Sequence, residues 1–122
     1  MKSMTLGAKN LGTPDEIRRF GHGEMAVVNV SGMAVGRAVF EPGFRWSVDV
    51  RPIANTASCQ AHHAGYVISG QLGVRMDDGT ETILGPGTVF SVAPGHDAWV
   101  VGDEPCVTID WASGAEYAVP MD

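Results

Sequence analysis

Cys59, His62, His63, His96 and Asp97 are the residues whose types and spacing offer chemistry. A Cys thiolate with imidazole nitrogens suits zinc or copper better than magnesium or calcium, which take oxygen ligands. Cys59 and His63 are four residues apart, and an even separation in extended chain puts both side chains on one face. His62 has the opposite parity and is expected to point away, as a surface or packing residue. Asp97 follows His96 directly, where a carboxylate can orient the imidazole or act as a weak fourth ligand. Without a metal, His63 or His96 with Asp97 reads as a general base poised near neutrality. Each of these residues also has a plain structural reading. A buried thiol is usually inert, and a histidine inside a small barrel is often held by hydrogen bonds or fixes a turn. Ser58 and Ser91 have no triad spacing, and neither a nucleophile elbow nor a phosphate loop occurs.

The elements that position these residues follow from composition and pattern. The chain has 122 residues, about one domain, and 44% are apolar, enough for one core without staples. Charged residues make up 18% and glycine is frequent at 16, which suits many turns and few long exposed helices. The net charge is −6 with no Lys/Arg run, so nucleic acid and anionic membranes are disfavoured as partners. No stretch approaches the ~20 apolar residues of a membrane span, and residues 1–10 lack the apolar region of a secretory signal. A cytoplasmic protein is the default, with Cys59 and Cys106 as free thiols.

Residues 1–12 read as a flexible arm before a single domain over 13–122. Thr13-Pro14-Asp15-Glu16 has the signals of a helix start, and Gly21 would stop that helix after two turns, beside His22. From there the period is two. Met25 to Val30 and Met33 to Phe40 are β-type runs split by Ser31-Gly32. Phe44 to Val50 alternates as a half-buried strand, with Phe44, Trp46, Val48 and Val50 on one face. Six further runs follow: Tyr66–Ser69, Gln71–Met76, Thr80–Leu84, Thr88–Ala93, Ala98–Val101 and Val107–Trp111. Gly/Pro turns separate them, and Asp78-Gly79 is a strong hairpin signal. Such a series means a sandwich, a jelly roll or a small barrel, and the pattern does not choose among them.

Pro42 to Trp111 resembles a cupin domain. His63-Ala64-Gly65-Tyr66-Val67-Ile68-Ser69-Gly70 has the spacing of the end of the first cupin motif. Gly87 to Gly95, ending Ala93-Pro94-Gly95, is similar to the second, and Met76-Asp77-Asp78-Gly79 resembles the hairpin between them. The run from Pro94 to Pro105 is similar to one carried by a group of small bacterial cupins. The resemblance implies an all-β, double-stranded β-helix (a jelly-roll barrel), here with a short N-terminal helix. It also implies a homodimer, in which the arm would add a strand to a neighbour's sheet.

Typical metal cupins bind iron, manganese, nickel or zinc through three His and one Glu. Carried over by motif, those ligands fall on Ala57, Cys59, His63 and Ala98, so none keeps its usual identity. His96 lies two residues before Ala98 and shares its face in extended chain. The resemblance therefore implies a non-standard site at the barrel mouth, with Cys59, His63 and His96 holding zinc, iron, copper or manganese. Trp46, Tyr66, Phe90 and Trp99 are candidate walls of a ligand pocket. Arg45 and Arg75 are expected on the outer face. Three functions stay open: a metal centre acting on a small molecule, a metal-free His-Asp isomerase or epimerase, and a binding module without catalysis.

Overall fold

A computed structural model describes residues 6–113 and 117–118. The described residues form nine strands, interrupted once by two short helices. Strands β1 (Glu16–Phe20), β2 (Gly23–Val30) and β3 (Met33–Phe40) come first. Two helices of four residues follow, α1 (Trp46–Asp49) and α2 (Arg51–Ala54). Then come β4 (His63–Ser69), β5 (Leu72–Met76), β6 (Glu81–Leu84), β7 (Val89–Val92), β8 (His96–Val100) and β9 (Cys106–Asp110). All pairings are antiparallel. One sheet has the order β1-β2-β3-β9-β4-β7 and the other β6-β5-β8. No helix among the described residues is long and apolar enough to cross a membrane.

The turn chemistry explains the hairpins. Ser31 and Gly32 both take positive φ, at 50° and 81°, the two-residue turn whose twist matches its strands. At the β5–β6 hairpin Gly79 has φ 94° and its N–H donates to the Met76 carbonyl at 2.9 Å. The Asp78 carboxylate accepts from the Thr80 N–H at 2.9 Å.

Two segments differ from the expectation. Residues 13–20 form no helix: a turn closes from the Asn10 carbonyl to the Thr13 N–H at 3.1 Å, and β1 begins at Glu16. A two-turn helix is marginal by itself, whereas five residues of β1 pair with β2 from Glu16–Val27 to Phe20–Gly23. Arg18 and Phe20 then point inward together, and Phe20 packs on Phe44 with ring centroids 5.7 Å apart. His22 therefore caps no helix end. It sits at φ 58° in the β1–β2 turn and its Nδ1 meets the Asp49 carboxylate at 3.1 Å.

The second difference is the strand expected over Phe44–Val50, which is helical from Trp46. Trp46 and Val50 are i and i+4 on one buried face, while Val48 is 65% exposed. Period two and period 3.6 share the positions 46 and 50, so alternation alone misleads here. The backbone groups at the start of α1 are satisfied from elsewhere. The Asp49 carboxylate accepts from the Arg45 N–H at 2.9 Å, and Asp97 Oδ1, from β8, accepts from the Ser47 N–H at 3.0 Å. Asn55, left-handed at φ 59°, ends α2.

The two sheets enclose one apolar core. Its aromatic part is Phe20, Phe40, Phe44 and Tyr117, in tilted and edge-to-face contacts 4.6–6.5 Å apart. The Arg18 guanidinium donates to the Tyr117 carbonyl at 2.8 Å.

Candidate metal centre

Backbone pairing brings Cys59 and His96 together. They form an isolated antiparallel bridge, with the Cys59 N–H donating to the His96 carbonyl at 2.8 Å. Residues directly opposite in such a bridge carry their side chains on the same side. His63 opens β4, opposite Val92 of β7. The ligand atoms of Cys59, His63 and His96 all lie within 4.8 Å of one another. Cys59 Sγ is 3.6 Å from His63 Nε2, and the two imidazole centroids are 5.1 Å apart. Cys59 and His96 are buried and His63 nearly so.

Each imidazole is fixed by its other nitrogen. His63 Nδ1 meets Asp110 Oδ2 at 2.7 Å, and His96 Nδ1 donates to the Ala93 carbonyl at 2.8 Å. Asp110 is itself held. Its Oδ2 accepts from the Ser113 hydroxyl at 2.6 Å, and its Oδ1 accepts from the N–H groups of Ala112 and Ser113, each at 2.9 Å.

These contacts set the charges. Burial pushes the Cys59 thiol up, but hydrogen bonds and charge from His63 and His96 outweigh it and hold the thiol at about 6. Burial pushes His63 down, but Asp110 and Cys59 raise it to about 9. Burial likewise pushes the Asp110 carboxyl up, and His63 and Ser113 bring it below its ordinary value. In the metal-free protein Cys59 and His63 are thus a thiolate–imidazolium pair at neutral pH.

The centre borders a cavity of about 40 Å³ between the sheets. His63 and His96 line it with Thr108, Asp110 and Tyr117, and every other lining residue is apolar. The Tyr117 ring stands 5.2 Å from His63, edge to face. Phe90 and Trp46 are among the aromatic walls.

Three expected residues stand elsewhere. Alternation along β8 sends His96 and Ala98 inward and Asp97 and Trp99 outward. Asp97 caps α1 and lies 3.5 Å from the Arg45 guanidinium, so it neither orients His96 nor offers a fourth ligand. Trp99 lies against Gly73, where a Cβ would meet the indole ring, and under Arg45 at 5.1 Å. Tyr66 is 40% exposed on the outer face of β4, opposite in parity to His63. His62 faces away from the cluster as expected, exposed and with its Nε2 3.3 Å from the Ser91 hydroxyl. The carboxylate partner of the site is Asp110, which the sequence reading missed. Its signal was the parity of β9, on which Cys106, Thr108 and Asp110 share the buried face.

No family model matches the chain, and no curated protein does. Solved structures are similar to it. A protein with a double-stranded β-helix domain from Klebsiella pneumoniae is 21% identical, with a TM-score of 0.54 over 80% of this chain and 76% of that one. A DUF1255 protein of unknown function from Acinetobacter is 15% identical, with a TM-score of 0.55 over 88% of this chain and 90% of that one. The oxalate decarboxylase of Lactobacillus farciminis is 14% identical, with a TM-score of 0.58 over 84% of this chain but only 32% of that one. With its two antiparallel sheets around a cavity, the chain has a double-stranded β-helix fold, as the resemblance in its sequence implies.

Proposed function

We propose that Cys59, His63 and His96 hold one transition-metal ion, with zinc favoured by the donor set, and that the protein acts on a small molecule bound against it. The observation that carries this reading is the tethering of both imidazoles at Nδ1, by Asp110 and by the Ala93 carbonyl. Metal-bound histidines are held in this way, with the free nitrogen aimed at the ion. The spacing fits as well. Tetrahedral zinc with one sulfur and two nitrogens needs donor separations of roughly 3.3–3.6 Å. The Cys59–His63 separation is 3.6 Å, and all three donor atoms lie within 4.8 Å of one another, so binding would draw the widest pair in by up to about 1.5 Å.

Three protein ligands leave one position for a substrate or water, where such an ion supplies Lewis-acid chemistry. The chain's own residues do the rest. Asp110 fixes the His63 tautomer and strengthens it as a donor. Ala112 and Ser113 hold Asp110 in place. The apolar walls keep bulk water from the centre.

The test is elemental analysis of protein purified without a metal-affinity tag. The expected result is about one transition-metal ion per chain, lost in Cys59→Ser with His96→Ala while the fold persists by circular dichroism. No metal above background, together with a freely titrating Cys59, would sink the proposal.

A second reading has its own observation in favour. Cys59, His63 and Asp110 stand in line, thiol to imidazole at 3.6 Å and imidazole to carboxylate at 2.7 Å. Without metal this is the arrangement of an activated thiol nucleophile. The same elemental analysis separates the two readings.

A further inference from the structure

We infer that the cavity beside the Cys59–His63–His96 centre admits a small uncharged molecule and discriminates against carboxylates. This rests on the metal reading above and adds the class of ligand to it. Charge carries the argument. A divalent ion brings +2. The Cys59 thiolate takes away one charge, since a coordinating thiol is deprotonated outright. Asp110 takes away the second, 2.7 Å behind His63. Its Oδ1 accepts from the N–H groups of Ala112 and Ser113, and with Nε2 on the ion the neutral His63 carries its proton on Nδ1 and donates to Oδ2, which is the bonding of a carboxylate. His63 and His96 are neutral as ligands. The loaded centre therefore carries no net charge with which to draw an anion.

Nothing in the wall makes up the difference. The described residues lining the cavity include no Lys or Arg, and their polar members are His63, His96, Thr108, Asp110 and Tyr117. Arg18 approaches from behind, but its guanidinium is spent on the Tyr117 carbonyl at 2.8 Å and on the Glu16 carboxylate at 2.8 and 3.1 Å. Arg45 lies over Trp99 on the outer face, 3.5 Å from Asp97. A carboxylate entering this cavity would leave water to meet only an ion whose charge Cys59 and Asp110 already offset, and a buried charge that is not compensated is strongly disfavoured. Size sets the second limit. A cavity of about 40 Å³ takes only a small molecule. The apolar walls from Phe40, Phe44, Leu84 and Phe90 suit a neutral molecule with one donor atom for the ion.

Formamide and formate are the probes, equal in heavy atoms and differing in charge. Cobalt(II)-loaded protein is titrated with each, followed by the visible d–d bands and the thiolate-to-cobalt charge-transfer band. Formamide is expected to shift the d–d bands with a midpoint below that of formate. Asp110→Asn, measured at saturating cobalt, is expected to improve formate about tenfold relative to formamide. Formate binding as tightly as formamide, or more tightly, in the unaltered protein overturns the inference. So does an absence of response to both probes, or an Asp110→Asn variant with an unchanged ratio. In those cases the charge-transfer band stays and the metal reading stands. If that band never forms, the metal reading itself fails.

Discussion

Cys59 and Cys106 are both buried, at 3% and 0% exposure, and both are free thiols. Their surroundings send them in opposite directions. Cys106 lies at the start of β9 opposite Phe40, and burial alone pushes its thiol up to about 11. Cys59 meets two imidazoles and is held at about 6. Depth does not make a thiol inert, and the charge beside it decides. The same strand links the two regions. On β9 the buried face runs from Cys106 through Thr108 to Asp110. One end of that stripe is apolar core, and the other end holds the carboxylate that charges His63.

The widest test of this contrast removes the imidazole. Thiolate absorbance of metal-free protein should show one step near 6 and another near 11. His63→Ala should move the lower step up by roughly 1–3 pH units, the usual effect of losing a close opposite charge, and leave the upper one in place. If the lower step stays put in His63→Ala and vanishes in His96→Ala, then His96 is the group that holds Cys59 down. If a lower step remains in Cys59→Ser, the assignment of the two thiols is reversed.

A smaller effect is expected one bond further out. Asp110→Asn keeps the size of the side chain but removes the charge that orients His63. Metal affinity should fall by about 10- to 100-fold, the usual range for a lost partner of a metal-bound histidine. Asp97→Asn lies outside the cluster and should leave affinity unchanged. Competition with a colorimetric chelator measures both, and equal losses would erase the distinction between Asp110 and Asp97.

The series of short strands and the shared face of Cys59 and His63 are legible in the sequence through parity and turn residues, while the barrel and His96 as the third member rest on the cupin resemblance. Ser31-Gly32 and Asp78-Gly79 mark hairpins through the backbone conformations that they allow. Even spacing puts Cys59 and His63 on one face, and His62 on the other. What stays hidden depends on tertiary partners. Thr13 to Glu16 carry sound local helix signals, but the β1–β2 pairing overrides them. Asp97 stands next to His96 in sequence, yet adjacent residues of a strand face opposite ways. Asp110 lies 47 positions from His63. Only the β4–β9 pairing, with Gly65 opposite Asp110, brings it to the imidazole. Tyr117 reaches the site from a segment with no period at all.

On the inert side of the comparison, Cys106→Ala should cost about 1–2 kcal/mol through the lost sulfur contacts and the small cavity left behind. Its metal content should match that of the unaltered protein. A Cys106→Ala variant that folds stably but loses its metal would mean that the apolar end of β9 also serves the centre.

The smallest effect expected is in the acid limb of stability. His63 and Ser113 hold the Asp110 carboxyl below its ordinary value of 3.8 in the folded chain. A depressed acid contributes stability that is fully present above the unfolded value and is lost as pH falls through the folded one. Metal-free protein should therefore lose stability as pH falls below about 4, through this carboxylate among others. Asp110→Asn has no proton to take up there, so its denaturation midpoint should fall less steeply over the same range. Cys106→Ala, at the other end of the same buried stripe, should keep the unaltered slope. Urea midpoints from pH 5 downward measure it. Equal slopes for Asp110→Asn and the unaltered protein would show that the folded carboxyl is not depressed. His63 would then owe its charge to Cys59 alone, and the two ends of β9 would differ in packing rather than in electrostatics.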